Sequence, residues 1–309
     1  MYYTFDPNIE PVYRIKPGEL FTVETEDASS GEIDENTKLS DFPNLPSFKY
    51  NPVRTNPISG PIFVEGAKKG DLLVVHIEKI EVGDVGRACF WPSGQLGDSY
   101  RWSKCRGLYL QWIKHNKEEG IAEINGHKMW KLDPMIGTIG VAPEWEVFGS
   151  GNGQGPWGGN VDCRDIREGT DIYFNCYNDG GLLSLGDVHG SQGDTEFSGS
   201  ADETKAKVTL RCEIIKNKKI PFFRLETEDK FISIYCERPL EFAVEKAIQN
   251  LMKWMVEEYG VDERVAYLYT GVNPEFRINV YQMLRTEGLD YTVGAELPKR
   301  YFKTKLKLK

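Results

Sequence analysis

The chain has 309 residues, of which 40% are hydrophobic, and its 47 acidic side chains outnumber 38 basic ones. This length and composition allow a well-buried core in one large domain or two small ones. The formal net charge of −9 argues against nucleic acid or an acidic membrane surface as the main partner. No stretch approaches the ~18 apolar residues that a membrane span requires, and the first residues lack a basic start and an apolar core, so we expect neither a membrane span nor a secretory signal.

Most of the predicted elements are β-strands. Segments rich in Val, Ile, Tyr and Phe, several of which alternate apolar and polar residues, are typical of half-buried strands. Such segments lie at Phe21–Thr25, Leu72–Ile80, Ile172–Tyr177, Lys207–Ile214 and Phe231–Cys236. Residues 83–131 carry four tryptophans among many charges, and we expect this Trp-rich excursion to pack over the sheet.

Three helices are predicted late in the chain. Pro239 suits a first helical position, and an apolar stripe at helical spacing follows it. Gly260 is placed to end this helix, and Asp262 to cap a second one. A third helix is predicted to begin near Pro274 and to carry Phe276, Ile278, Val280, Met283 and Leu284.

Six cysteines at positions 89, 105, 163, 176, 212 and 236 form no CxxC pair. Without a secretory context we expect reduced thiols, mostly buried in strands, and a cytoplasmic location.

Two glycine-dense loops between Gly149 and Gly199 each end in short polar side chains. Apolar strands separate these loops, so the loops could meet at one end of a sheet. Carboxylates beside a histidine, on backbone that glycine allows to turn sharply, suit a cation or a hydrolytic reaction. The side chains concerned are Asn160, Asp162, Asp165, Asp187, His189, Gln192, Asp194 and Glu196.

Several motifs of this sequence, in the order in which they occur, resemble those of the acetamidase/formamidase family. The specific blocks are GPWGGNVDCRD at residues 155–165 and GDVH followed by QGDTE at residues 186–196, with further matches at 60–67, 137–143 and 297–299. The resemblance implies hydrolysis of a short linear amide to a carboxylic acid and ammonia, with a divalent metal in the site. It also implies one catalytic unit over residues 1–309, an α+β, β-rich fold of barrel-like mixed sheets with a few C-terminal helices, and a homodimer or higher homo-oligomer.

The chemistry of amide hydrolysis suggests metal ligands within these loops. Bound Zn²⁺ polarises a carbonyl and lowers the pKa of water to about 7. Asp162, Asp187 and His189 combine carboxylate and imidazole on convergent loops and are the predicted ligands. His76 shares a strand face with Glu78, and that pair could complete the site or form a surface contact. Zinc is the expected ion and calcium the alternative; loop capping by Asp162 and a structural role for His189 also remain open.

Other residues receive roles in proton transfer and substrate binding. Glu196 is predicted to move the proton, with Asp194 as its substitute. Asn160 and the backbone N–H groups of Gly158 and Gly159 could steady a developing oxyanion. Many relatives carry histidine where this chain has a tryptophan in the GPWGGN block, and we expect the indole of Trp157 to line and narrow the acyl pocket.

Two other functions stay open at this point. The same scaffold could open a lactam or another cyclic amide, which is favoured if the Trp-rich excursion widens the pocket. Alternatively, acidic glycine loops also suit a non-enzymatic, calcium-stabilised module, because Ca²⁺ prefers six to eight oxygen ligands. Zinc bound at His189 would favour hydrolysis.

Overall fold

The computed structural model describes residues 1–51, 54–90, 109–284 and 288–303. Most of the regular structure in these residues is β, as the sequence predicts. The strands are β1 (Thr4–Phe5), β2 (Tyr13–Ile15), β3 (Leu20–Thr25), β4 (Ile58–Val64), β5 (Leu72–Val82), β6 (Val85–Phe90), β7 (Tyr109–Asn116), β8 (Ile121–Ile124), β9 (His127–Lys131), β10 (Met135–Val141), β11 (Phe148–Gly149), β12 (Gln154–Gly155), β13 (Gly158–Asn160), β14 (Asp171–Asn175), β15 (Leu183–His189), β16 (Ala206–Ile215), β17 (Arg224–Glu226), β18 (Lys230–Glu237), β19 (Arg277–Gln282) and β20 (Tyr291–Pro298).

The strands form four sheets among the described residues. A six-stranded sheet has the order β12-β13-β10-β15-β4-β2, and an eight-stranded sheet has the order β19-β20-β18-β17-β14-β5-β16-β3. Strands β6 to β9 form a four-stranded sheet, and β1 pairs with β11. Each of the two large sheets ends in strands with one neighbour, so the mixed sheets of the described residues do not close into a barrel. The β-rich fold with few helices is confirmed.

The two large sheets share the main hydrophobic core. One cluster of buried side chains includes Val75 of β5, Phe174 of β14, Ile139 of β10 and Leu185 of β15. Fully burying one such side chain contributes about 1.5–3 kcal/mol to the free energy of folding. This shared core fixes the position of β15, which leads into the second polar loop, and of β10, which pairs with both β13 and β15.

Two of the three predicted helices are present. The first, α1 (Leu240–Lys253), continues into a π-helical turn at Trp254–Glu258, and Gly260 follows it. The second, α2 (Glu263–Val272), is capped by Asp262, whose side chain accepts a hydrogen bond from the backbone N–H of Arg264. Buried residues of both helices pack against β18 and β20 in a second core cluster. Within the described residues, no helix has the length and apolar character to cross a membrane.

The predicted third helix is wrong, because residues Arg277–Gln282 form strand β19. The apolar residues Phe276, Ile278 and Val280 recur with the period of a strand, and β19 pairs with β20 along its length. All three side chains are β-branched or aromatic, which favours strands, and tertiary pairing decides the outcome. Short 3₁₀ helices lie at Leu39–Asn44, Pro46–Lys49, Asp194–Glu196 and Lys299–Lys303.

The described part of the Trp-rich excursion is the four-stranded sheet of β6 to β9. The indole N–H of Trp130 donates to the hydroxyl of Ser191 over 2.7 Å, so this sheet contacts the second polar loop. Residues 91–108, with two of the four tryptophans and Cys105, lie outside the described residues. The other five cysteines are buried and form no disulfide.

Candidate active site

The predicted polar loops do meet, at the end of the six-stranded sheet. Asp187 and His189 lie at the end of β15, and Asp162 follows β13. Strand β10 lies between β13 and β15, and its Gly137 separates the two aspartates. A Cβ atom on Gly137 would lie 2.7 Å from Oδ1 of Asp162 and 2.8 Å from Oδ2 of Asp187, so only glycine lets both carboxylates approach.

Three acidic residues of the site have left-handed backbone conformations. The φ angles are 42° at Asp162, 55° at Asp187 and 42° at Glu196. A non-glycine residue in this region costs about 1–3 kcal/mol, and such strain is concentrated at functional sites. The fold therefore maintains an unfavourable backbone in order to aim these carboxylates.

Five side chains form two overlapping groups centred on one histidine. The first group is Asp162, His189 and Glu196, and the second is Asp187, His189 and Glu203; within each, one ligand atom per residue lies within 4.8 Å of the others. All five residues are at most 9% exposed. Glu203 stands just before β16, and its backbone pairs with that of Arg87.

In each aspartate, hydrogen-bond donors hold one carboxylate oxygen. The amide of Gln282 donates to Oδ2 of Asp162 over 2.6 Å, whereas the buried Oδ1 of Asp162 has no hydrogen-bond partner among the described residues. The amide of Asn56 donates to Oδ2 of Asp187 over 2.6 Å. The other oxygen of Asp187, Oδ1, lies 3.4 Å from Nε2 of His189.

His189 and Glu203 also have one side-chain atom that makes a hydrogen bond and one that makes none. Nδ1 of His189 is 3.0 Å from Oε1 of Gln192, and Oε1 of Glu203 accepts from the backbone N–H of Ala201 over 3.0 Å. Nε2 of His189 and Oε2 of Glu203 lie 3.3 Å apart, yet both are buried without a hydrogen-bond partner in the described chain. Free donor atoms that converge while their neighbours are anchored are typical of metal ligands.

The charges of the cluster are unbalanced. Burial and the nearby Asp187 raise the pKa of Asp162 to about 7, and burial together with Asp162 raises the pKa of Glu196 well above its usual value. Burial opposes the charged imidazole, but Glu203 and Asp187 raise the pKa of His189 well above its ordinary value. Burial alone would raise the pKa of Glu203, but His189 lowers it to about 2. Four buried carboxylates around one imidazole therefore need protons or a cation. The free nitrogen and oxygen atoms fit a divalent ion.

A cavity of about 290 Å³ opens onto this cluster. Its polar wall includes the four carboxylates, Asn56, Asn160 and Arg87. The guanidinium of Arg87 is paired with Asp27 over 2.8 Å. Apolar parts of the wall come from Ala28, Cys89, Leu284 and Leu289. The cavity thus combines ionisable groups on one side with a small apolar surface on the other.

Most of the residues predicted for the chemistry lie at this cavity. Asp162, Asp187, His189 and Glu196 come together as described, and Asn160 lines the same space. Oδ1 of Asn160 accepts from the hydroxyl of Thr138 over 2.9 Å, and its Nδ2 donates to the carbonyl of Gly151 over 2.9 Å.

Two predicted residues lie elsewhere. His76 is on β5 in the eight-stranded sheet, where its Nδ1 is 2.5 Å from a carboxylate oxygen of Asp171. It belongs to neither group around His189. Asp194 points outward and pairs with Arg164 over 3.0 Å, with about half of its side chain exposed. Its position leaves Glu196 as the residue of that turn that faces the cluster.

Trp157, Gly158 and Gly159 of the glycine-rich block also lie away from the cavity wall, unlike Asn160. Trp157 is 4% exposed, and its ring lies 5.1 Å from that of Phe148 and 4.9 Å from that of Phe5. Gly158 and Gly159 form β13 between β10 and β12, and none of the three residues lines the cavity. In this structure Trp157 is a core residue.

Sequence reasoning missed Glu203 and the residues that hold the carboxylates. Glu203 lies next to Asp202 just before a predicted strand, and that position was its one signal. Asn56 and Gln282 carried no signal, because each lies in a segment far from the loops in sequence. Gln192 is one of the polar side chains of the second loop, but its sequence position indicates no role.

Comparison with known proteins connects this geometry to a family. A family model described as "Acetamidase/Formamidase family" matches residues 1–156 and 153–281. A formamidase from Methylophilus methylotrophus is 26% identical over 264 residues, which cover 68% of this chain and 63% of that protein. The chain therefore spans less than two thirds of the length of this curated relative.

Solved structures match over nearly the whole chain. An acetamidase from Bacillus halodurans has a TM-score of 0.85 at 29% identity, covering 98% of this chain and 96% of that one. A gamma lactamase from Delftia acidovorans has a TM-score of 0.64 at 20% identity, covering 98% and 89%, and this likeness shows the fold alone.

Proposed function

This chain belongs to the acetamidase/formamidase family, and we propose that it hydrolyses a short-chain linear amide of the formamide or acetamide type to a carboxylic acid and ammonia. The observation that carries the proposal is the cavity of about 290 Å³, whose wall holds Asp162, Asp187, Glu196 and Glu203. Burial of four carboxylates around one imidazole is unfavourable unless protons or a cation compensate their charge, and amide hydrolysis makes use of both.

A divalent cation would be held by Asp162, Asp187, His189 and Glu203, and we propose zinc. One imidazole nitrogen with carboxylate oxygens is a donor set that Zn²⁺ accepts, whereas a purely structural Ca²⁺ site prefers six to eight oxygens. When bound, such an ion polarises the amide carbonyl and favours ionisation of a water molecule in the site. The free atoms on Asp162, His189 and Glu203 support this proposal.

Glu196 is the proposed proton donor to the departing nitrogen. A group in that role must carry the proton that it donates, and burial together with Asp162 raises the pKa of Glu196 well above its usual value, which favours the protonated form. Water adds to the carbonyl carbon, Glu196 gives its proton to the nitrogen, the C–N bond breaks and ammonia leaves, and the proton that the attacking water loses returns to Glu196. Asn160, on the cavity wall, is placed to contact the substrate oxygen.

The size and lining of the cavity favour a short acyl group. The volume is at the small end of ligand pockets, which span about 300–1,000 Å³. Leu284 and Leu289 provide apolar surface for a methyl group. Because the gamma lactamase shares the fold alone, and no feature of the described cavity wall selects a ring, the linear amide is the preferred substrate.

We further propose a homo-oligomeric enzyme of the cytoplasm. The five described cysteines are buried without disulfides, which agrees with a reducing compartment.

Ammonia release over a panel of formamide, acetamide, propionamide, butyramide and benzamide tests the proposal, with elemental analysis of the same protein. Glu196→Gln should lower kcat about 10²–10⁴-fold and keep the metal, because it removes the proton donor alone. Glu118→Gln, at an exposed turn between β7 and β8, is the matched control and should leave kcat unchanged. Absence of ammonia from every linear amide would refute the reaction, and full activity after chelation would refute the metal.

A further inference from the structure

The side chain of Gln192 connects His189 to two backbone carbonyls. Its Nε2 lies 2.6 Å from the carbonyl oxygen of Asp162 and 3.1 Å from that of Tyr281, and its Oε1 lies 3.0 Å from Nδ1 of His189. The three contacts join the loop after β13, the end of β15 and strand β19 at one amide group.

These contacts fix which end of the amide faces the histidine. A backbone carbonyl oxygen only accepts hydrogen bonds, so the atom that faces the carbonyls of Asp162 and Tyr281 must be the NH₂ group of Gln192. Its two protons match the two carbonyls. The oxygen of the amide therefore faces His189.

The orientation of the amide in turn fixes a proton on the histidine. Oε1 of Gln192 only accepts, so Nδ1 of His189 must carry the hydrogen. The other nitrogen, Nε2, faces Oδ1 of Asp187 at 3.4 Å and Oε2 of Glu203 at 3.3 Å without a hydrogen bond to either. It is the nitrogen left to bind an ion.

We propose that Gln192 is a positioning residue that keeps the proton on Nδ1 of His189 and so presents Nε2 to the four carboxylates. This inference rests on the proposed function for the ion itself. Because Nδ1 is engaged, the two groups around His189 share a single nitrogen, and His189 binds one ion rather than bridging two.

The proton can be observed directly by NMR of ¹⁵N-histidine-labelled protein as purified, with the His189 signals assigned from a His189→Gln sample. The expected result is a protonated Nδ1 in the wild-type protein. This measurement needs no change at Gln192 and does not depend on catalysis. An unprotonated Nδ1 would overturn the inference.

Variants of Gln192 test the consequence for the ion. Gln192→Met removes both the acceptor and the donors, so zinc affinity measured against a competing chelator should fall about 10–100-fold, as for other residues that orient metal ligands. Gln192→Glu retains an acceptor for the Nδ1 proton but loses both donors to the carbonyls of Asp162 and Tyr281, so it should recover part of that loss.

Asn178→Leu is the matched control. The amide of Asn178 also donates to two backbone carbonyls, those of Ala142 over 3.2 Å and Pro143 over 2.6 Å, but it does not contact His189. Its removal should leave zinc affinity and the His189 spectrum unchanged. Equal losses in Asn178→Leu and Gln192→Met would show general loosening and overturn the positioning role.

Ammonia release on the same samples separates the two proposals. Suppose that the wild-type protein shows zinc-dependent ammonia release. An unprotonated Nδ1 of His189, or an unchanged zinc affinity in Gln192→Met, would then contradict the role of Gln192 and leave the proposed reaction standing. A wild-type protein that binds no zinc overturns this inference together with the metal, and its ammonia release then decides the reaction.

Discussion

Replacement of Gly137 by alanine should disrupt the site through a single methyl group. The added Cβ would lie 2.7 Å from Oδ1 of Asp162 and 2.8 Å from both the carbonyl oxygen and Oδ2 of Asp187. Ordinary contacts of this kind begin near 3.4 Å, so the carboxylates must separate by more than half an ångström. Overpacking of this kind costs about 1–3 kcal/mol of folding free energy. Displacement of catalytic groups by about 1 Å costs about 100-fold in rate.

Three measurements on Gly137→Ala check this reasoning. We expect lower stability in urea, weaker zinc binding, and a kcat/KM for acetamide reduced by about 100-fold. Gly271→Ala in α2 is the matched control, because its new Cβ meets nothing within 4 Å and alanine stabilises a helix by about 0.5–1 kcal/mol relative to glycine. If Gly137→Ala kept wild-type zinc affinity and kcat/KM, close approach of the two carboxylates would not matter for function.

The other predictions use separate parts of the structure. His189→Ala should lose zinc and activity together, by elemental analysis and ammonia release, and retention of zinc would contradict the ligand assignment. Trp157→Ala should lower the free energy of unfolding, measured in urea, by about 3–5 kcal/mol, because it leaves a cavity in the core. It should not change the preference among acyl groups, and a shift towards larger amides would place the indole in the acyl pocket. Leu289→Ala should raise the ratio of kcat/KM for butyramide to kcat/KM for acetamide by about tenfold, since one methylene in an apolar pocket contributes about 1–3 kcal/mol to substrate discrimination. An unchanged ratio would show that Leu289 does not contact the acyl group. Burial alone would raise the pKa of Asp71, but hydrogen bonds from Lys216, Asn217 and Lys68 lower it. Asp71→Asn should therefore reduce the free energy of unfolding at pH 7, and the difference from wild type should be lost as the pH falls below about 4 through the lowered pKa. A difference in unfolding free energy that persists in acid would contradict this.

Much of the fold was predictable because local pattern and tertiary structure agree. Strands β5 and β16 alternate or run apolar as buried strands do. The start of α1 directly after Pro239, which is its N-cap, and the cap of α2 at Asp262 follow from backbone chemistry. Strand β19 was missed although its apolar residues alternate, because so short a run does not separate strand from helix and the pairing with β20 that decides the outcome lies elsewhere in the sequence.

The site was predictable in its residue types and less so in its geometry. Carboxylates and a histidine on glycine loops identified Asp162, Asp187, His189 and Glu196, because few other arrangements place such groups together. The position of Trp157 was not predictable, because it depends on rings that the chain supplies from other segments. A bulky side chain beside a polar loop can face either the cavity or the core, and only packing decides.

The donors that hold the two aspartates have a consequence for how the protein is made. Asn56 is separated from Asp187 by 131 residues, and Gln282 from Asp162 by 120. A chain leaving the ribosome therefore has both aspartates long before β19 can supply the second donor, and contacts of such separation form late. The four carboxylates are made by residue 203, but Asp162 gains its donor only once residue 282 has been added, so we expect the proposed ion to bind the folded protein rather than the nascent chain. Cells starved of metal should still accumulate the folded protein in its empty form.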